Sequence, residues 1–220
     1  LVFQNLIFFY LYDKIKNGMK QIIALFAFVF LFNMNYAADN LVAASDIIKP
    51  GTTLHYRVNT SSTEYPFIVK IVSLDMNKGI TFEYDLQSSS PKNATIEQTV
   101  DALKNAQTMY NFFNGKDVVL DNSVSVFLSK KMFNDINNLT STENAPRKTA
   151  MIKLDANDES PIEFNLTNYR KNITTEKGVF STNEMLSEAL DYTIRFAEDA
   201  KCPIITSMDL GWTVTLEKIE

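Results

Sequence analysis

The stretch Ile80–Leu86 limits what this chain can fold into more than any other. Ile80, Phe82, Tyr84 and Leu86 alternate there with Thr81, Glu83 and Asp85. Side chains of a strand point to opposite faces at each step, so the pattern describes a strand with one apolar and one wet face. A one-residue slip would turn every ring into water, which fixes the register. The same period recurs in Leu54, Tyr56 and Val58, with His55 and Arg57 on the other side, and again in Tyr192, Ile194 and Phe196 and in Trp212, Val214 and Leu216. Phe67 to Leu74 is almost continuously apolar apart from Lys70, which predicts a strand covered on both faces. Shorter strands are expected at Ala94–Gln98, Val118–Leu120, Ser123–Leu128, Thr149–Leu154, Ile162–Leu166 and Tyr169–Ile173. Asn183–Leu190 fits either a short helix or an edge strand.

The period changes after Thr99. Leu103, Ala106, Tyr110 and Phe113 recur at three and four, joined by Ala102 and Met109. This predicts an amphipathic helix over Thr99–Phe113, with Thr99 as N-cap and Gly115 just past the end. Ser129 is placed to cap a second short helix through Asn138, and Leu139–Lys148 reads as a polar loop. The sum is a mainly β (α+β) chain: an antiparallel curved sheet or partly open barrel with two or three short helices packed on it. The alternating β-α-β-α rhythm of a doubly wound nucleotide-binding fold is absent from the sequence.

Upstream of this pattern lies an address. Met19, Lys20 and Gln21 make a short positive start, Ile22 to Phe32 is an unbroken apolar run, and Asn33 to Ala38 is a polar-to-small exit. That is the layout of a secretory signal peptide, and the run is short of the roughly 20 apolar residues a spanning helix needs. The expected organisation is therefore residues 1–18 as an upstream extension, 19–38 as the signal, and 39–220 as one β-rich domain. No cysteine lies near the end of the signal, so lipid attachment there lacks an acceptor. A periplasmic or secreted product is expected, meeting a membrane only during export.

Charge and residue counts narrow the chemistry. The chain has a net charge of −5, and loss of residues 1–38 removes Lys14, Lys16, Lys20 and Asp13 and leaves −7. Such a chain is poorly suited to nucleic-acid phosphates. Its single histidine rules out zinc sites built on two histidines, and its single cysteine, Cys202, rules out an intramolecular disulfide or a two-cysteine redox motif. The glycines are too scattered for a phosphate-cradling loop. No cofactor and no metal site is expected.

The remaining polar motifs each have a plainer reading. His55 is the one histidine base, but it sits opposite an apolar strand face, as a sheet-surface residue would. Ser89-Ser90-Pro91-Lys92 matches S-x-x-K, yet Pro91 and the serine-rich loop argue against the helix start that chemistry needs. Asp155, Asn157 and Glu159 alternate as calcium ligands do, without the glycine and distal glutamate of an EF-hand. Glu83 and Asp85 share one side of a strand and read as a solvated face rather than a glycosidase pair. Asn93 and Asn172 head glycosylation sequons, which matter only in a glycosylating host.

Three segments carry a resemblance: Tyr110-Asn-Phe-Phe-Asn-Gly115, Ser125-Val-Phe-Leu-Ser-Lys-Lys-Met-Phe133 and Leu210-Gly-Trp-Thr-Val-Thr-Leu-Glu-Lys-Ile219. They resemble an uncharacterised family of exported bacterial β-rich proteins. The resemblance spans most of Lys49 to Ile219 and implies a bacterial envelope setting, with no activity or site residues to carry over.

Two functional expectations follow. One is a non-enzymatic interaction or structural module of the envelope, whose partner is a protein. The other is a carrier or sensor of an apolar, lipid-like small molecule held in a half-open barrel. For the second, the ligand-binding candidates are Tyr56, Phe82, Tyr84, Met109, Phe113 and Trp212. A hydrolase is the third reading, and it has only His55 and Glu83 to nominate.

Overall fold

The structure is a computed structural model, and it describes residues 41–137, 149–155 and 160–220. The signal-like segment, the Leu139–Lys148 loop, Asn157 and Glu159 lie outside the described residues. The framework is one large sheet made of two meanders laid side by side. The first runs through β1 (Thr53–Asn59), β2 (Glu64–Asp75), β3 (Gly79–Leu86) and β4 (Lys92–Gln98). The second runs through β8 (Thr149–Ile152), β9 (Ile162–Thr175), β10 (Gly178–Ser187), β11 (Tyr192–Ala197), β12 (Ile205–Asp209) and β13 (Thr213–Ile219). First and last strands join them: Tyr56 pairs with Leu216 and Val58 with Val214, antiparallel. A short β6 (Val118–Leu120) adds to β4 in parallel, so the strand order is β6-β4-β3-β2-β1-β13-β12-β11-β10-β9-β8 and the sheet stays open.

Bulges curve it. Glu217 is the extra residue between β1 and β13, Val72 between β2 and β3, and Thr206 between β11 and β12. An extra residue bends its strand and increases the local twist. Three such bends in neighbouring strand pairs give the sheet a concave side.

The concave side takes the apolar half of the alternation. Leu54, Tyr56, Phe67, Val69, Ile80, Phe82, Tyr84 and Ile96 are all buried. The convex side carries charges in cross-strand pairs, including Arg57 with Glu64 and Glu217 and Lys70 with Glu83. This corrects the expectation for β2: Lys70 and Val72 are exposed, so the strand is covered on one face only. Asn183–Leu190 is also resolved. Most of it belongs to β10, which is hydrogen-bonded on both sides and is not an edge. Its residues are buried on both faces, and that removes the periodicity by which a strand is read.

The middle of the chain lies across the concave side. It contains helix α2 (Val100–Asn105), β5 (Thr108–Met109), β7 (Ser123–Val124) and helix α3 (Lys130–Asn137), while α1 (Ala44–Ile47) precedes the sheet. The expected helix over Thr99–Phe113 is overturned. Thr99 does cap α2, its side chain accepting from the Ala102 amide at 3.3 Å. But the chain leaves helical geometry at Ala106, whose carbonyl accepts from the Ser129 hydroxyl at 2.6 Å. The same hydroxyl oxygen accepts from the Met132 amide and starts α3. Met109 then pairs in β5 beside Ser123–Val124, and its amide donates to the Lys153 carbonyl. Buried hydrogen bonds to distant residues outweigh a modest local preference for helix. No helix among the described residues is long and apolar enough to cross a membrane.

One remote carboxylate secures α1. Ala43 offers no side-chain cap, and the Ser45 amide donates instead to Asp199 Oδ2 at 2.8 Å, while Lys201 donates to Oδ1. Burial alone would raise the Asp199 carboxyl, but the hydroxyl and amide of Ser45 and the amide of Lys201 outweigh it and hold the group below its ordinary value. A depressed carboxylate adds stability above its unfolded pKa and loses it as pH falls through the folded pKa. Asp199→Asn is therefore expected to melt below the parent at neutral pH, with the gap narrowing as pH drops below about 4. A gap independent of pH in thermal melts would remove the charge from this account.

Candidate ligand-binding cleft

Where the middle segment stops short of the sheet, a cleft remains. Its floor is the concave face of β12, β13, β1, β2 and β3, contributing Ile205, Val214, Tyr56, Val58, Phe67 and Leu86. Its roof is the extended segment 111–113 together with Ser125 and Val126. Its mouth opens at the turn ends of three hairpins, marked by Thr60 and Tyr65, by Lys92, and by Met208 and Trp212. The volume is about 380 Å³, within the few hundred to about a thousand Å³ typical of small-molecule sites.

The walls are apolar because the alternation puts them there and because the Tyr56 hydroxyl and the Asn111 amide among them are already engaged. The Tyr56 hydroxyl is buried and donates to the Ile205 carbonyl at 2.8 Å. Burial raises that hydroxyl's pKa, with a smaller contribution from Cys202, so it remains a neutral donor. Asn111 donates to the Leu154 carbonyl at 2.7 Å. Phe113 closes one end as the centre of an aromatic group, with ring centroids 4.6 Å from Phe67, 5.0 Å from Tyr84 and 6.1 Å from Tyr110. Behind it the Gly115 amide donates to Tyr84 Oη at 2.8 Å, and Gly115 adopts a φ of +82° that suits glycine. Phe112, next to Phe113, is 64% exposed at the mouth.

Val126 is the strained point of the roof. Its φ is +64°, a left-handed conformation that a β-branched residue rarely adopts and that costs about 1–3 kcal/mol. Its neighbours enforce it. The Ile205 amide donates to the Val126 carbonyl at 2.8 Å, and the Ser125 amide donates to the buried Gln98 Oε1 at 2.8 Å. Such strain gathers where a side chain must be aimed, and here it sets Val126 into the cleft wall.

The structure divides the six predicted ligand-binding residues. Tyr56, Phe113 and Trp212 line the cleft. Tyr84 stands behind Phe113 and supports it. Phe82 and Met109 pack in the core and do not line the cleft: Phe82 lies under the middle segment, and Met109 is held in β5 by backbone pairing. Lys92, Phe112, Val126 and Met208 are cleft residues that sequence reading did not nominate. Lys92 was visible only as the end of S-x-x-K, and Phe112 was hidden by the helix assignment.

The other polar candidates are dispersed. His55 lies on the convex face with Nε2 3.1 Å from a Glu220 carboxylate oxygen. Glu83 pairs with Lys70, and Asp85 accepts from Gln87. Ser89 to Lys92 form a turn and the start of β4, with no helix to align serine and lysine. Cys202 is buried, and burial pushes its thiol pKa up, which keeps it an inert thiol. Among the described residues, no group of three or more His, Cys, Asp and Glu could hold a metal ion. Comparisons with family models, curated proteins and solved structures find no match to this chain.

Proposed function

We propose that this chain is an exported envelope protein that holds an apolar small ligand between its sheet and the 111–126 segment, as a carrier or sensor. The observation that carries this reading is the cleft itself: about 380 Å³, walled mostly by aromatic and aliphatic side chains, with the Tyr56 hydroxyl and the Asn111 amide engaged elsewhere. An apolar cleft of this size, open to solvent at its mouth, favours an apolar guest. The compartment rests on the signal-like Met19–Ala38 segment. The role is binding, without turnover, and the interaction-module reading becomes the better one if the cleft takes no guest.

The chain carries its own reporter. Trp212 is the single tryptophan and lines the cleft. Titration with N-phenyl-naphthylamine is expected to change Trp212 emission saturably and to show energy transfer to the bound probe. Val58→Phe, which fills the floor, is expected to weaken binding by about tenfold or more while remaining folded by thermal melting, since overpacking costs about 1–3 kcal/mol. An unchanged Trp212 spectrum throughout the titration would sink the ligand-binding reading.

A further inference from the structure

We infer that the ligand is a single-chain amphiphile with an anionic carboxylate head, seated with its head at Lys92 and its tail along the Phe67–Phe113 wall. This rests on the cleft being a ligand site, and it adds the ligand's charge, polarity and size.

The first observation is electrostatic. Among the described residues, Lys92 is the single charged residue lining the cleft, and no aspartate or glutamate lines it. That is unexpected in a chain whose net charge is −5. Four other cations of the sheet are matched: Arg57 with Glu64 and Glu217, Lys70 with Glu83, Arg170 with Glu198 and Arg195 with Glu184, while Lys171 in β9 is exposed to water. Lys92 is half-buried and has no ion pair among the described residues. An unpaired ammonium group beside apolar walls gains most from a counter-ion brought by a guest.

The second observation is position. Lys92 opens β4, directly across from Leu86, at the mouth of the cleft and not on its floor. Its stem runs past Gly115, where an added Cβ would stand 3.4 Å from Lys92 Cβ. A stem packed along an apolar rim with its charge at the water boundary is how lysine spans two media. An amphiphile matches that layout, with a charged head at the boundary and an apolar tail inside. The Tyr56 donor on the floor and the Asn111 donor on the roof are occupied, by the Ile205 and Leu154 carbonyls, so a head group has little reason to go deeper.

The third observation is size. A methylene takes up about as much space as a water molecule, about 30 Å³ in the liquid. The cleft of about 380 Å³ thus holds one chain of about ten to twelve carbons. It is too small for a two-chain phospholipid.

Binding of four probes to the purified protein, followed by Trp212 emission and by calorimetry, tests this. They are decanoate, decanol, decyltrimethylammonium and acetate. Decanoate is expected to bind about tenfold or more tighter than decanol, decyltrimethylammonium weakest of the three chains, and acetate not at all. Lys92→Met is expected to bring the decanoate-to-decanol affinity ratio down to about one, and Lys92→Arg to retain the preference for decanoate. Equal affinity for decanoate and decanol in the parent, or a preference that survives Lys92→Met, would overturn the head-group assignment and leave the apolar site standing. Failure of every chain to bind would overturn both.

Discussion

Phe82→Ala is expected to destabilise the protein by about 3–5 kcal/mol. Phe82 is 0% exposed at the centre of the first meander, paired across its strand with Ile71 and Ile96. Truncation removes a ring from between the sheet and the segment laid over it. Neither layer can collapse into the gap, because the sheet is hydrogen-bonded on both sides of β3 and the overlying chain is tied to Gln98, Lys153 and Ile205. The full cavity term therefore applies in addition to the lost burial. Against a total stability of about 5–15 kcal/mol, this approaches the threshold of folding at 37 °C. Urea unfolding should show a lower midpoint at an unchanged slope. A loss below about 1 kcal/mol would mean that Phe82 faces free space, and the cleft would then have to be redrawn to include it.

The contrast between Phe82 and Phe113 shows what the sequence could and could not reveal. Both are aromatic residues in apolar patterns, and both were reasonable candidates for a cavity wall. The sheet was readable because a strand's alternation is local: Leu54 to Val58, Ile80 to Leu86 and Trp212 to Leu216 each carry their own proof of an inner and an outer face. The segment from Thr99 to Phe113 was misread because its apolar spacing of three and four satisfies a helix equally well. What decides it is the Ser129 hydroxyl on the Ala106 carbonyl, a contact across 23 positions. The cleft was half-readable for the same reason. Tyr56 and Trp212 come from regular strands and their surroundings, while Phe112 and Val126 come from irregular segments whose placement depends on tertiary hydrogen bonds, and Lys92 opens a strand next to a serine-rich loop. Lys92 is the clearest case. Its meaning lies in the lack of an ion-pair partner among the described residues, and no spacing rule in a chain rich in acidic residues can foretell that.

The second large effect is expected at the cross-strand pair of Glu184 and Arg195, which does not line the cleft. Glu184 retains 12% side-chain exposure, and its Oε2 accepts from Arg195 Nε at 2.8 Å and Nη2 at 2.7 Å. Thr167 donates to the other carboxylate oxygen at 3.1 Å, and the guanidinium lies 4.8 Å from the centroid of the Tyr169 ring. Arg195→Met leaves that carboxylate in place with one hydroxyl partner, a loss of about 3 kcal/mol. The lower end of the range for broken buried pairs applies because Arg195 is 33% exposed and some water reaches the site. Adding Glu184→Leu removes the stranded charge and should recover most of the loss, since well-packed apolar replacements of a buried pair are often neutral. Glu184→Leu alone should cost less than Arg195→Met, because the guanidinium can turn toward solvent and keep its contact with Tyr169. The double-mutant cycle, read by urea unfolding, should thus give a coupling of about 1–3 kcal/mol. If the double variant were as unstable as Arg195→Met, the pair would matter through its packing on β9 and not through its charge.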